Sequence, residues 1–418
     1  MFEQLIMVAT LILMISGRAP IYLTAIVGST MAALAAGIPI TGKADTTILK
    51  LLNSGLNPVI ADMAGVLLFI GIMEKAGFLN VVIRKIMEFG RAVGGGPGVA
   101  AAGGISAGIV GALTGFTQPA ITAVVTGPAA VKLGVDPHKA AGIHAHAGHL
   151  GNFGGFTHPT MVAVVATAAI GFGTINVIGT IVALSVFAIS FFRLKREENK
   201  HADIDTSLSA QESAATLEHT TNASFGIAIF PFLVLCVGFA LGYPVFIVGA
   251  LASILVGLLA KMPLAEGEKA MLAGVSKIAT PLVATVGFLF MGAVINKIGL
   301  VGAISGLLGP VLTSAPIQIM LIVSALAGLF TQSNAASAAI VIPFLQVVLK
   351  TGADPLAAAA AAAGGCALMQ YFLTGGPVAA LATVIPVIPG SELKTANKFQ
   401  RPSILGGLFV LLIITLFL

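Results

Sequence analysis

Charge is scarce in this sequence: Asp, Glu, Lys and Arg make up 9% of its 418 residues, against 57% hydrophobic residues. Soluble domains carry about 25% charged residues, so a soluble globular chain is excluded. Cysteine is nearly absent. Cys236 and Cys366 each lie in an apolar segment without CxxC spacing, which argues against a disulfide framework or a thiolate metal site, and both read as small buried hydrophobes. The apolar runs lack the polar-apolar alternation of barrel strands, so the spans read as helices. Neither HExxH nor a Ser/His/Asp set stands out, and the chain reads as no enzyme. Its net charge of +5 is spread over short loops beside apolar runs, a topology signal with no nucleic-acid partner implied. Met1-Phe2-Glu3-Gln4 has no basic n-region, so the first apolar run is expected to be a retained helix.

Glycine is plentiful, at 50 residues. In membranes small residues let helices approach closely, and Gly with Pro marks broken helices. At about 20 residues per span, the apolar text supports about 10–12 spanning or half-spanning helices. Runs at 4–17, 20–40 and 57–77 read as the first three, and the amphipathic stretch from Leu79 to Ile86 as interfacial. Gly94-Gly95-Gly96-Pro97 is a breaker. Asp62 reads as a helix cap or, with Glu74, as a coupling group; Glu74 reads equally as marking the interface. Residues 195–222 are polar and aperiodic and read as a cytoplasmic linker between membrane repeats at 1–194 and 223–418.

The second half repeats the first. Phe69-Ile70-Gly71 to Gly77 matches Phe290-Met291-Gly292 to Gly299; Gly115-Phe116-Thr117-Gln118 matches Leu329-Phe330-Thr331-Gln332; Lys132 to Asp136-Pro137 matches Lys350 to Asp354-Pro355; and Thr157-His158-Pro159 lies opposite Thr374-Gly375-Gly376-Pro377. Four matches in one order point to an internal duplication. Placing the loops of Arg18, Arg84/Lys85/Arg91 and Arg193/Lys195/Arg196/Lys200 in the cytoplasm puts the N-terminus in the periplasm and gives the first half an odd number of crossings. The repeats are then inverted, as in many secondary transporters, whose sites lie where broken helices meet near the midplane. The expected fold is an all-α polytopic protein of two inverted repeats with broken helices, multi-pass in an inner membrane.

Each half carries a dense polar interruption. Thr117 and Gln118 mark the first, and Thr331, Gln332, Ser333 and Asn334 the second. A second pair, Gly151 to Thr160 and Gln370 to Pro377, contributes Asn152, Thr157, His158 and Thr374. Such breaks free N–H groups that suit a carboxylate, and carbonyls and side-chain oxygens that suit Na+, here near Ser333 and Asn334. Five of seven histidines fall between His138 and His158. His146 and His149 share a helix face and are candidates for coupling, because imidazole titrates near neutral pH. Structural hydrogen bonding and a transition-metal site are the alternatives. Asp136-Pro137 and Asp354-Pro355 read as helix starts.

These residues carry a resemblance. Val125-Thr126-Gly127-Pro128 through Lys132 to Asp136-Pro137 and on to Phe156-Thr157-His158-Pro159-Thr160 resembles the corresponding stretch of gluconate permeases. Thr331-Gln332-Ser333-Asn334 with Gly352-Ala353-Asp354-Pro355 is similar to anaerobic C4-dicarboxylate carriers and lactate permeases. It also resembles the Ser-Asn-Thr tips of Na+-coupled dicarboxylate carriers, with Ala335 at the Thr position. The chain is thus similar to organic-anion carriers of the ion transporter superfamily. The resemblance implies a scaffold, a mobile transport domain with re-entrant hairpins, an elevator cycle and a homodimer. The expected function is symport of a small carboxylate, such as a sugar acid, hydroxy acid or dicarboxylate, driven by H+ or Na+ with no other cofactor. A Na+/H+ antiporter is the alternative.

Overall fold

The computed structural model describes residues 2–16, 21–54, 58–115, 117, 119–198, 221–241, 243–276, 279–303, 306, 312, 314–373 and 379–418. Among these residues every regular element is helical. The first half contains α1 (Phe2–Ile15), α2 (Ile21–Ala35), α3 (Ile48–Ser54), α4 (Pro58–Lys75), α5 (Phe78–Thr114), α6 (Ala120–Lys132), α7 (Pro137–Ala145), α8 (Pro159–Thr167) and α9 (Thr174–Glu198). A short turn Ala147–His149 and a π-helical turn Leu150–Gly154 prolong α7. The second half contains α10 (Phe225–Ala240), α11 (Val245–Leu259), α12 (Leu264–Ser276), α13 (Ala279–Lys297), α14 (Pro316–Thr331), α15 (Asn334–Leu349), α16 (Pro355–Met369), α17 (Ala379–Val384) and α18 (Leu393–Leu416). Gln118, Thr374, Arg18 and linker residues 199–220 lie outside the described residues. α9 continues through Glu198, into the segment read as linker.

Local chemistry sets these boundaries. Asp136 Oδ1 accepts the Lys139 N–H at 3.1 Å and Asp354 Oδ1 the Ala357 N–H at 2.8 Å, each ahead of a proline at the first helical position. The preceding Gly134 and Gly352 take φ of 89° and 83°, and Gly77 and Gly299 take 72° and 76°. These are two pairs of repeat-equivalent turns that need the left-handed region glycine enters freely. The breaker in α5 is also present: Gly94 and Gly95 leave helical geometry, the latter at φ 54° and ψ −130°. α4 begins at Pro58, so Asp62 lies within the helix and is not its cap. Glu74 and Lys75 are exposed at its other end, where Lys75 pairs with Glu266 at 3.3 Å.

α5, α9 and α18 are long and apolar enough to cross a membrane. Outward faces carry Phe2, Leu5, Ile12, Phe230, Leu233, Val237, Ile247 and Leu251, all exposed. An apolar exterior over internally bonded helices is what a bilayer demands. The fold is all-α and polytopic. Cys236 lies on this exterior, against the expectation of burial, because α10 turns one face of its apolar sequence outward; Cys366 is buried.

The two halves pack reciprocally: α2 against α13 and α11 against α4, α5 against α6 and α14 against α15, α6 against α17 and α15 against α8, with α9 meeting its counterpart α18. α4 is held by glycine crossings on two sides. A Cβ on Gly249 of α11 would come 2.6 Å from Gly65 C, and one on Gly274 of α12 would come 2.8 Å from Gly71 Cα.

Candidate functional site

The two polar breaks differ in construction. In the second half α14 ends at Thr331, whose Oγ1 bonds back to Ala327 O at 2.8 Å and meets Ser337 Oγ at 2.8 Å. Gln332 then turns the chain at φ 50°, and Ser333 caps α15 by accepting the Ala336 N–H at 3.3 Å. In the first half Thr114 makes the corresponding back-bond to Val110 O at 2.9 Å, and Gly115 turns the chain at φ 76°. The structural counterpart of Thr331-Gln332 is therefore Thr114-Gly115, and the match to Thr117-Gln118 is a slip in register. Five residues, 115–119, separate the helices of the first break, and two, 332–333, those of the second. Identity alone aligned the wrong threonines across that difference in length.

Thr117 packs within its own half. A Cβ on Gly111 or Gly151 would overlap its side chain, and its Oγ1 is buried without a hydrogen-bond partner among the described residues. Thr157 is buried beside it, with Oγ1 donating to Ala112 O at 3.5 Å. A Cβ on Gly115 would stand 2.8 Å from Thr157 O. A left-handed backbone costs a non-glycine residue about 1–2 kcal/mol. Gly115→Ala is thus expected to lower stability by about 2 kcal/mol, which thermal unfolding in detergent reads.

Across the halves, a hub forms where α15 and α8 begin. Asn334 Nδ2 lies 3.3 Å from His158 Nδ1, and Thr160 Oγ1 donates to Asn334 O at 3.0 Å. The Asn334 N–H donates to Gln370 Oε1 at 2.9 Å, and Cys366 Sγ donates to Asn334 Oδ1 at 3.0 Å. The first half's broken segment, His158 to Thr160, is thereby bonded to the second half's tip and to the end of α16. His158 is half-buried, and its Nε2 has no hydrogen-bond partner among the described residues. The oxygens expected to favour Na+ are engaged within the protein: Ser333 Oγ by the cap and Asn334 Oδ1 by Cys366.

Asn152 sits one turn away on the π-helical segment, its Nδ2 donating to Tyr371 OH at 3.0 Å. His149 stacks edge-on to Tyr371 at 4.9 Å and reaches Ala367 O through Nδ1 at 3.2 Å. His146 lies 5.4 Å from His149, ring to ring, and continues through Ser190 Oγ at 2.7 Å to Ser403 Oγ at a further 2.7 Å. His146 Nδ1 and His149 Nε2 are buried without partners among the described residues. These histidines adjoin the hub through Tyr371, next in sequence to Gln370, and do not enter it. His144 is bonded apart from them, to Ala140 O at 2.7 Å and Thr126 Oγ1 at 2.6 Å, while His138 accepts the Glu392 N–H at 2.9 Å.

Thus the structure brings His158 and Asn334 together, with Ser333, Gln332 and Thr331 adjoining in sequence, and leaves Thr117 and Thr157 in a neighbouring cluster. Cys366 joins the site unforeseen, while Thr160, Gln370 and Tyr371 belong to the second pair of interruptions but were not singled out within it. Only the polar pair Gln370-Tyr371 after the alanine run of α16 signalled a change of environment in the sequence.

No family model and no curated protein matches the chain. Solved structures do. The YdaH transporter of Alcanivorax borkumensis, a protein of unusual topology, superposes with a TM-score of 0.60 at 17% identity, over 88% of this chain and 86% of that one. MtrF of Neisseria gonorrhoeae, from a class of antimetabolite efflux pumps, superposes with a TM-score of 0.62 at 15% identity, over 99% of this chain and 97% of that one. At these identities the likeness is one of fold.

Proposed function

We propose that this chain, built on a fold it shares with two transporters, is a secondary active carrier for a small organic anion, with the carboxylate bound at the His158–Asn334 hub. One observation carries the reading: helices α8 and α15, from opposite halves, begin against each other, joined through His158 and Asn334 at 3.3 Å. The aligned peptide dipoles give each helix start a partial positive charge of roughly half a unit, and two converging starts favour an anion between them. His158 Nε2, without a partner among the described residues, supplies the directional contact. Asn152 and the Thr331 to Ser333 turn border the same region. Because the hub spans both halves, an anion bound there touches both, as alternating exposure requires.

Coupling follows from charge. Carrying an anion into the low dielectric of the protein interior is costly unless a cation accompanies it. H+, received by the His146 and His149 pair with its two unpartnered ring nitrogens among the described residues, meets that need, and Na+ near Ser333 and Asn334 does so only where those oxygens release their present bonds. A homodimer in the bacterial inner membrane, with its linker in the cytoplasm, completes the proposal.

The test is uptake of labelled gluconate, lactate and succinate into proteoliposomes, with pH and Na+ gradients imposed separately. Accumulation of a carboxylate under one gradient supports the reading. Exchange of Na+ for H+ with no carboxylate movement replaces it by the antiporter. His158→Phe, which keeps ring bulk and removes the donor, is expected to raise KM by about 10- to 100-fold, the value of one hydrogen bond to a charged group.

A further inference from the structure

We propose that Cys366 is a positioning residue of this site, acting through Asn334 to hold His158 as an Nε2–H donor; the inference rests on the anion-site reading above. The Thr160 backbone N–H can only donate, and it points at His158 Nδ1 at 3.3 Å. That long contact favours a lone pair on Nδ1, with the proton of a neutral imidazole on Nε2, and the second contact to Nδ1, from Asn334, decides the balance. Asn334 must turn the same way, presenting Nδ2 to that nitrogen at 3.3 Å, because its oxygen would meet a lone pair. Oδ1 is thereby directed at Cys366 Sγ, 3.0 Å away, and an oxygen at that place requires the thiol to donate.

The Asn334 backbone has no part in the choice. Its N–H is held by Gln370 Oε1 at 2.9 Å and its carbonyl accepts from Thr160 Oγ1 at 3.0 Å, so only the side-chain amide is left to turn. The thiol has other acceptors, Ala362 O and Ala363 O, each at 3.4 Å, and the Asn334 oxygen is closer than either. Cys366 is itself anchored, its N–H donating to Ser324 Oγ at 2.8 Å. Remove the S–H, and Asn334 Oδ1 is left buried without its donor. The amide then gains by turning its oxygen to His158, which draws the proton to Nδ1 and takes it from Nε2, the nitrogen that serves the anion.

The experiment uses the full chain in lipid nanodiscs. 15N-histidine NMR reports the tautomer of His158, assigned by the signal lost in His158→Gln, and calorimetry reports binding of gluconate, lactate and succinate. Wild type is expected to show Nε2–H. Cys366→Ala, and Cys366→Val as a better space-filling variant, should move the signal towards Nδ1–H and weaken binding about tenfold, while Cys366→Ser, which keeps a donor, retains both properties. A pure Nε2–H signal in the alanine and valine variants overturns the proposal, as does a serine variant as impaired as they are. Should no carboxylate bind wild type while the tautomer still shifts in the alanine variant, the anion site fails and the positioning role stands.

Discussion

Asn334→Ala is expected to weaken carboxylate binding at the proposed site by about tenfold or more while the chain remains folded, because its side chain holds two buried partners in place at once. The substitution removes the bonds to His158 Nδ1 and Cys366 Sγ, at 3.3 Å and 3.0 Å. Each buried group left without a partner costs about 1–3 kcal/mol of folding stability, and affinity falls because the His158 ring is no longer held, with about 1.4 kcal/mol a factor of ten. The backbone bonds of Asn334 to Gln370 and Thr160 do not depend on its side chain, so the tip keeps its place and the loss falls on the site. Calorimetry with gluconate, lactate and succinate measures the effect, and a thermal melt confirms folding. Binding within threefold of wild type would remove the hub from consideration.

The largest effect on stability is expected at the crossing of α4 and α12. Gly274→Val should lower the midpoint of thermal unfolding in detergent by roughly 1–4 °C, from an overpacking cost of about 1–3 kcal/mol and about 1 °C per kcal/mol for a chain of 418 residues. The obstacle is main chain: a Cβ at Gly274 stands 2.8 Å from Gly71 N and Cα and overlaps Leu67 O. No rotamer change relieves a clash with backbone, so α12 itself must move away from α4. Gly226→Val, at a glycine with nothing within 4 Å of an added Cβ, is the control and should melt as wild type does. Equal melting of the two variants would show that the crossing is not close in the folded protein.

Much of the fold was legible because it is written in features with a single physical reading. Few charges and long apolar runs require helices in lipid. Asp136-Pro137 and Asp354-Pro355 start helices through caps that need no tertiary partner. Gly77, Gly134, Gly299 and Gly352 stood out only as members of the repeat matches, and the structure places them in the left-handed region that glycine enters freely. The site was legible in part. His158 and Asn334 stood out as polar residues in breaks, yet their pairing spans 176 positions and no local pattern encodes it. Cys366 was read as a small hydrophobe because its burial says nothing of its partner, and its bond to Asn334 exists only once α16 lies beside the start of α15. The threonine register failed for a related reason: back-bonding to the previous turn, which Thr114 and Thr331 share, depends on where a helix ends, and residue identity does not record that.

The unequal breaks bear on the resting behaviour of a carrier. In an inverted duplication with identical halves, facing one side of the membrane and facing the other would be the same arrangement with the halves exchanged, and equal in free energy. Here one tip turns at a glycine followed by four further residues, and the other at a left-handed glutamine in a two-residue link. The short tip bears a side chain in the left-handed region, and it is the one whose Asn334 is bonded into the opposite half. On the carrier reading proposed above, this inequality breaks the degeneracy, so that one orientation of the unloaded protein is favoured and a solute gradient of one sign meets a binding-ready face more often than its reverse.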